Sequence, residues 1–319
     1  MFDLSRLSIG QEFGQGADSR IYHGTYNEMH VAVKVIQVQD QEVDKERCLA
    51  RLQKEFDQES SLLSRLHHPN VLKFVGAFKQ EDAFCIVTEY LSEGSLRSYL
   101  NKLRNESTRL TLPTVLVLAL EIARGMEYIH SQGIIHRDLK PENVLIGHGF
   151  GLKIADFGVS CEDSCSEIPE SYVGTYRWMA PEMIKRKKSC NKKVDVYSFG
   201  LLLFEMISGS TPFADMSAVQ VAYAVANKNP RLEIPNECSD PMKALIEQCC
   251  YSDPKKRPDF GWIVEVLEKF KADLAHDGTL KLVQDCIRQN DHKKMSFLRC
   301  FTNPSQVRIS EISTLDPQD

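Results

Sequence analysis

A chain of 319 residues with 42% apolar side chains is long enough for one large domain or two packed lobes, and its composition is that of an ordinary globular protein. Its 39 basic and 44 acidic residues leave a net charge of −5, the wrong balance for a nucleic-acid binder. No basic-then-apolar leader opens it, and its most apolar stretch, VDVYSFGLLLFEMISG (194–209), carries Asp195 and Glu205 and is too short to span a bilayer. Neither a secretory signal nor a transmembrane segment is expected. The ten cysteines lack metal-ligand spacing and read as free thiols of a cytoplasmic protein, with Cys161 and Cys165 the one close pair in a polar stretch.

In chain order, the first element is a glycine-bearing loop, EFGQGADSRIYHG (12–24). Gly14 and Gly16 stand where a phosphate-cradling G-x-G-x-x-G has its first two glycines, but Ser19 occupies the third place. Taken alone, such a pattern serves a tight hairpin equally well. HVAVKVIQV (30–38) is a β-branched strand whose alternation puts Ala32 and Lys34 on one face. Residues 45–66 repeat apolar side chains at helical spacing, with Leu62, Leu63 and Leu66 together. VLKFVGAF (71–78) and AFCIVTEY (83–90) have the length and apolarity of strands. LPTVLVLALEIARGMEYIHSQG (112–133) is a helix with Pro113 in its first turn, a stripe from Val115 through Leu118, Ile122 and Met126 to Ile129, and Gly133 to close it. Beyond residue 160 the pattern is mostly helical, through 193–209, 241–250 and 260–274, and from about 276 it turns polar and aperiodic, a tail. The fold class is α+β: a small β-rich lobe with one main helix, then a larger, mainly helical lobe.

The chemistry is concentrated in the middle. IIHRDLKPENVLI (134–146) packs Asp138, Lys140 and Asn143 into six residues beside a short strand, and LKIADFGVS (152–160) is a second strand ending at Asp156. The turn between them holds Gly147, Gly149 and Gly151, so hairpin pairing brings Asn143 and Asp156 together. Two oxygen ligands at a strand end suit Mg²⁺, which keeps several waters and takes further ligands from phosphates.

H-R-D-L-K-P-E-N followed closely by D-F-G, with VAVK (31–34), GTYRWMAPE (174–182), DVYSFG (195–200) and RPDF (257–260) in order, resembles a protein kinase over about residues 7–272. The resemblance implies a bilobal kinase fold, with an N-lobe at about 7–90, a C-lobe at about 91–272, a short flank at 1–6 and a tail at 273–319. It implies ATP and Mg²⁺ as cofactors, with Mn²⁺ the alternative metal. It assigns Lys34 to the α/β-phosphates and Glu59 to pairing with Lys34, with Glu55, one turn earlier, competing for that place. Asp138 orients the substrate hydroxyl, Lys140 steadies the γ-phosphate, and Asn143 and Asp156 hold metal. Gly14, Gly16, Ser19 and Ile21 cover the nucleotide and Ala32 roofs the adenine. Thr88 is the gatekeeper, Glu89 and Leu91 offer backbone groups, and Leu145 forms the floor. Glu182 and Arg257 match a structural ion pair.

DLKPEN looks like the serine/threonine pattern, while GTYRWMAPE and DVYSFG look like the tyrosine-kinase-like group. DLSRLSIG (3–10), SRIYHGTY (19–26) and MSAVQVAYAVANKNPRLEIP (216–235) resemble plant Raf-like kinases, similar to the high-leaf-temperature type. This implies a signalling kinase for serine and threonine, with tyrosine as a minor acceptor. Its partners would be protein substrates, MAP kinase kinases among them. The rival is a pseudokinase scaffold, which usually lacks one of Lys34, Glu59, Asp138, Asn143 and Asp156; all five are present. Ser19 is the one departure, in a loop that works through its backbone amides, and its side chain is expected to point away from the phosphates, whereas a Cβ on Gly14 or Gly16 would obstruct. Ser160, Ser164, Ser166, Ser171, Tyr172 and Thr175 are activation-loop hydroxyls, with Ser171 and Tyr172 the better switch sites and Arg137 a docking cation. In the tail, CIRQNDHKKMSFLRCF (286–301) mixes Lys and Arg with Met, Phe and Leu. A solvated tail is favoured there over peripheral membrane or partner contact.

Overall fold

A computed structural model describes residues 2–16, 19–37, 45–80, 83–163, 176–186, 191–228, 230–278 and 280. Six elements build the N-lobe: β1 (Leu7–Gln15), β2 (Ser19–Tyr26), β3 (Met29–Gln37), α1 (Lys45–Arg65), β4 (Phe74–Gln80) and β5 (Ala83–Glu89). The strands form one antiparallel sheet in the order β1-β2-β3-β5-β4. Alternation along β3 buries Val31 and Val33 on one face, with Tyr26, Cys85 and Val87, and turns Ala32 and Lys34 to the other. The first residues are more than a flank. Phe2 stacks on Tyr26 at 4.6 Å between ring centroids and packs into the Val31–Val33 cluster.

α1 buries Leu52, Phe56, Leu62 and Leu63, and Phe56 meets Phe84 of β5 at 5.3 Å between centroids. Glu59 lies on the same buried face, 4% exposed, and a carboxylate there needs a partner. The strand expected over 71–78 begins only at Phe74. Residues 70–72 serve the other lobe instead: Ile154 N donates to Asn70 O and Leu72 N to Ile154 O, both at 2.9 Å.

The C-lobe runs α2 (Leu96–Asn105), α3 (Leu112–Ser131), β6 (Ile134–Ile135), β7 (Val144–Ile146), β8 (Leu152–Ile154), β9 (Cys161–Glu162), α4 (Pro181–Ile184), α5 (Lys193–Ser208), α6 (Ala218–Asn227), α7 (Asp240–Cys249) and α8 (Phe260–Asp277). α8 runs five residues past the expected domain end at 272. Thr111 caps α3, Gly133 turns its exit with φ 70°, and the helix packs against α8 and β8. Its approach to β8 requires Gly125, where a Cβ would stand 2.8 Å from both Asn70 O and Ile154 Cδ1. β8 is thereby held at fixed depth just before Asp156. α2 and α6 were not expected from periodicity. Each opens on a capping box, Ser95 with Ser98 and Ser217 with Gln220, the second a legible S-x-x-Q signal.

α5 is buried along almost its whole length, and its two acids are both paired. Glu205 takes Arg97 of α2, with Nη2 and Oε2 at 3.2 Å, and Asp195 faces the loop after β6. Arg257 grips Glu182 through two contacts of 2.6 and 2.9 Å, so the expected brace joins the start of α4 to the turn before α8. No helix among the described residues is long and apolar enough to cross a membrane. Cys48, Cys85, Cys238, Cys249 and Cys250 are free cysteines, and burial pushes the Cys85 thiol up to about 11 and Cys250 up to about 12. Cys165 and the tail from 281 onward lie outside the described residues.

Candidate active site

Lys34 leaves the middle of β3 opposite Ile21 of β2 and Ile86 of β5. Its Nζ donates to both carboxylate oxygens of Glu59 at 2.9 Å and to Asp156 Oδ1 at 3.3 Å. Glu55 instead pairs with Arg51 on the outer part of the helix at 3.3 Å, so the helix register itself decides between the two glutamates. Burial works against the Lys34 charge, but the nearby Asp156 and Glu59 carboxylates overcome it and raise its pKa above the ordinary lysine range. The Lys34 ammonium in turn holds Asp156 down to about 2, against the opposing effect of burial. Burial pushes Glu59 upward, and the pull of Lys34 opposes it. Asp156 is the open member of the group, its side chain 45% exposed to the cleft. It adopts φ 65°, a left-handed conformation that costs a non-glycine residue about 1–3 kcal/mol.

The second half of the site is compact. Asp138 Oδ2 accepts from Lys140 Nζ at 2.6 Å and from Asn143 Nδ2 at 2.8 Å, and Asn143 Nδ2 also donates to Asp138 O at 2.8 Å. Asn143 thus donates through its amide nitrogen, and its side-chain oxygen is of the type a hard cation takes. β7 pairs with β8, Val144 opposite Ile154, and Ala155 N donates to Asn143 O at 2.9 Å. The hairpin therefore seats Asn143 beside the Ala155–Asp156 peptide. Among the described residues no group of three or more His, Cys, Asp or Glu forms a metal site. The oxygens of Asn143 and Asp156 are the donor chemistry of a hard cation that draws its remaining ligands from phosphate and water.

What holds this loop was not assigned from the sequence. Asp195, wholly buried in α5, accepts from His136 N at 2.9 Å, from Arg137 N at 2.7 Å and meets His130 Nε2 at 2.8 Å. Burial opposes its charge, but His130 and the His136 amide more than compensate, and its pKa falls below the ordinary value. The buried His136 ring meets Ala155 O at 3.1 Å through Nε2, accepts from Asp138 N at 3.3 Å and packs edge-on against Phe157 at 5.1 Å. An acid inside a sixteen-residue apolar stretch was the available signal for Asp195.

Around the cleft mouth, β1 and β2 form the glycine hairpin, with Gly14 opposite Ile21 and Gly16 N donating to Ser19 O at 2.7 Å. A Cβ on Gly14 would meet Ile21 at 3.4 Å, an ordinary contact within the protein. Ser19 turns its hydroxyl toward Gly16, where an added Cβ would lie 2.7 Å from it. Thr88 is buried at the end of β5, across from Ala32. Glu89 commits its N–H to Lys73 O at 3.0 Å and its carboxylate to Lys73 N and Lys153 Nζ at 2.7 and 2.9 Å. Its carbonyl accepts from Thr88 Oγ1 at 3.3 Å. Leu91 follows, half-buried, and Leu145 lies opposite Lys153 on β7. Phe13, His23 and Tyr90 form an unforeseen ring cluster beside the hinge, with centroids 4.2–5.6 Å apart.

Ser160 is fully buried and donates through Oγ to His136 O at 3.1 Å, which removes it from the set of accessible hydroxyls. Ser164, Ser166, Ser171, Tyr172 and Thr175 lie outside the described residues. Arg137 is buried, with φ 67°.

The family described as protein tyrosine and serine/threonine kinase matches residues 7–267. The chain is 51% identical over 269 residues to serine/threonine/tyrosine-protein kinase HT1 of Arabidopsis thaliana, a match covering 84% of this chain and 67% of that protein. It is 37% identical to serine/threonine-protein kinase CTR1 of the same plant, over 82% of this chain and 31% of the relative. Mitogen-activated protein kinase kinase kinase 13-A of Xenopus laevis is 36% identical, over 85% of this chain and 26% of the relative. The chain thus spans about two thirds of the first relative's length and about a third or less of the other two.

Proposed function

This chain belongs to the protein tyrosine and serine/threonine kinase family, as a Raf-like serine/threonine kinase, and from that premise we propose how its own residues perform phosphoryl transfer from Mg-ATP. The observation that carries the reading is the joining of two clusters, Lys34–Glu59–Asp156 and Asp138–Lys140–Asn143, by the β7–β8 hairpin. Bound ATP supplies the phosphoryl group, and bound Mg²⁺, or Mn²⁺ in its place, neutralises the charge on the phosphates. Lys34, held charged by its two carboxylates, positions the α/β-phosphates. Asp156 and Asn143 would hold the metal. Asp138 takes the proton of the incoming hydroxyl as its oxygen bonds to the γ-phosphorus and the bond to the β–γ bridging oxygen breaks. Lys140, 2.6 Å from Asp138, meets the charge on the transferring group.

In the same reading, Gly14, Gly16, Ser19 and Ile21 cover the phosphates and Ala32 roofs the adenine. Thr88, the Glu89 carbonyl and Leu91 line the hinge side, and Leu145 is the floor. The acceptors are serine and threonine hydroxyls of proteins, and the printed name of the Xenopus relative supports MAP kinase kinases as the substrate class. The cytoplasm is the compartment proposed. The test is transfer of labelled γ-phosphate from ATP to a protein acceptor by the purified chain. Acid-stable phosphoserine or phosphothreonine that requires added Mg²⁺ is the expected product. Nucleotide binding without any transfer would contradict the reading.

A further inference from the structure

We infer that Ser160, gripped by Gln58, is a positioning residue that transmits the placement of α1 to the catalytic loop. The inference rests on the kinase reading above. Gln58 sits beside Glu59 on α1, and its Nε2 donates to the carbonyl oxygen of Ser160. The Ser160 hydroxyl donates onward to His136 O at 3.1 Å. His136 is two residues ahead of Asp138 and accepts from Asp138 N at 3.3 Å. One buried residue therefore meets the helix that holds Lys34 through its carbonyl, and the loop that carries Asp138 through its hydroxyl.

A second link joins the same elements, Arg65 Nη2 to Glu162 Oε1 at 3.1 Å, but both side chains are more than half exposed. A pair in that setting contributes little, so the Gln58–Ser160–His136 bridge is the stronger coupling. β9 stays paired to β6 without it, Cys161 opposite Ile135 and Glu162 opposite Ile134. Loss of the bridge should therefore free α1 from the loop while leaving the segment's local fold in place. That separates positioning from stability, and the two can be measured apart.

The experiment uses the full chain with a saturating protein acceptor and varied ATP. Gln58→Ala and Ser160→Ala are each expected to lower kcat about tenfold, the effect of one lost hydrogen bond of roughly 1.4 kcal/mol. KM for ATP should stay within about threefold in both, and the melting temperature of Gln58→Ala within about 3 °C, since Ala favours the helix. Because both changes cut one bridge, the double variant should fall within about threefold of the slower single variant. Gln58→Ala alone decides the matter if Ser160→Ala does not fold. A kcat within twofold of wild type, losses that multiply to about a hundredfold, or a KM rising as far as kcat falls would each overturn the inference. A wild-type chain that transfers no phosphate overturns the kinase reading itself, a distinct result.

Discussion

The two halves of the site are built in opposite ways. The catalytic loop between Ile134 and Ile146 is held by short-range hydrogen bonds and by one buried acid, Asp195, reaching from α5 to two successive backbone amides. The nucleotide half is assembled across three elements, with Lys34, Glu59 and Asp156 separated by 25 and 122 residues in sequence. Two of its three side chains remain partly open to the cleft. A buried network fixes geometry whether or not a nucleotide is present, whereas a solvent-touched ion cluster depends on where α1 sits. The loop should therefore break by unfolding and the cluster by losing rate.

The largest expected effect follows from Asp195→Ala. It leaves two buried N–H groups and His130 without their acceptor, a loss of about 3 kcal/mol or more, or roughly 6–12 °C in Tm by calorimetry. An unchanged Tm would mean that the loop holds itself. Lys34→Met should act chiefly on rate, lowering kcat about a hundredfold by removing the charge that positions the phosphates. Steady-state kinetics beside calorimetry on both variants sets the two halves apart directly.

The pH behaviour sharpens the contrast. Asp156 is depressed to about 2, below its unfolded value, so its contribution is fully present above about pH 4 and is lost as pH falls toward 2. Lys34 is raised, so its contribution holds below the ordinary lysine value and is lost only above it. The stability gap between wild type and Asp156→Asn should then stay flat from pH 5 to 9 and narrow only on acidification below 4, as chemical denaturation at each pH would read. A gap that closes near neutral pH would show that the cluster is not charged as described.

The smallest effects belong to the glycine hairpin. Ser19→Gly should change ATP affinity by less than about tenfold. Gly16→Ala crowds the Ser19 hydroxyl and should weaken binding more than Gly14→Ala, where the contact within the protein is ordinary. Adding Ser19→Gly to Gly16→Ala should recover part of the loss, which titration calorimetry with ATP would detect; no recovery would mean that the contact is not limiting.

What was legible in the sequence follows a different division, local geometry against long-range contact. Strand alternation alone put Lys34 and Ala32 on one face, and the hairpin turn brought Asn143 to Asp156, since both depend on local geometry. Glu59 is the favoured partner of Lys34 in the sequence, and the structure pairs it there while Glu55 meets Arg51. The role of Asp195 needed a contact across 58 and 59 residues, and no local pattern reports which amide a buried acid will meet. The burial of Ser160 is hidden from local pattern for the same reason. Its hydroxyl sits in a polar stretch of sequence, yet the β6–β9 pairing and α1 bury it. The strand at 71–78 began late because Asn70 and Leu72 bond to Ile154, a partner invisible to periodicity.

The central claim, that Asp138 receives the substrate proton while the Lys34 cluster holds the nucleotide, is tested most directly by Asp138→Asn in the full chain. ATP binding, followed by calorimetry with Mg²⁺ present, should stay within about threefold of wild type, while single-turnover transfer to a protein acceptor falls by about a thousandfold. Transfer that continues undiminished in the purified variant, or ATP binding lost in step with it, would contradict the account.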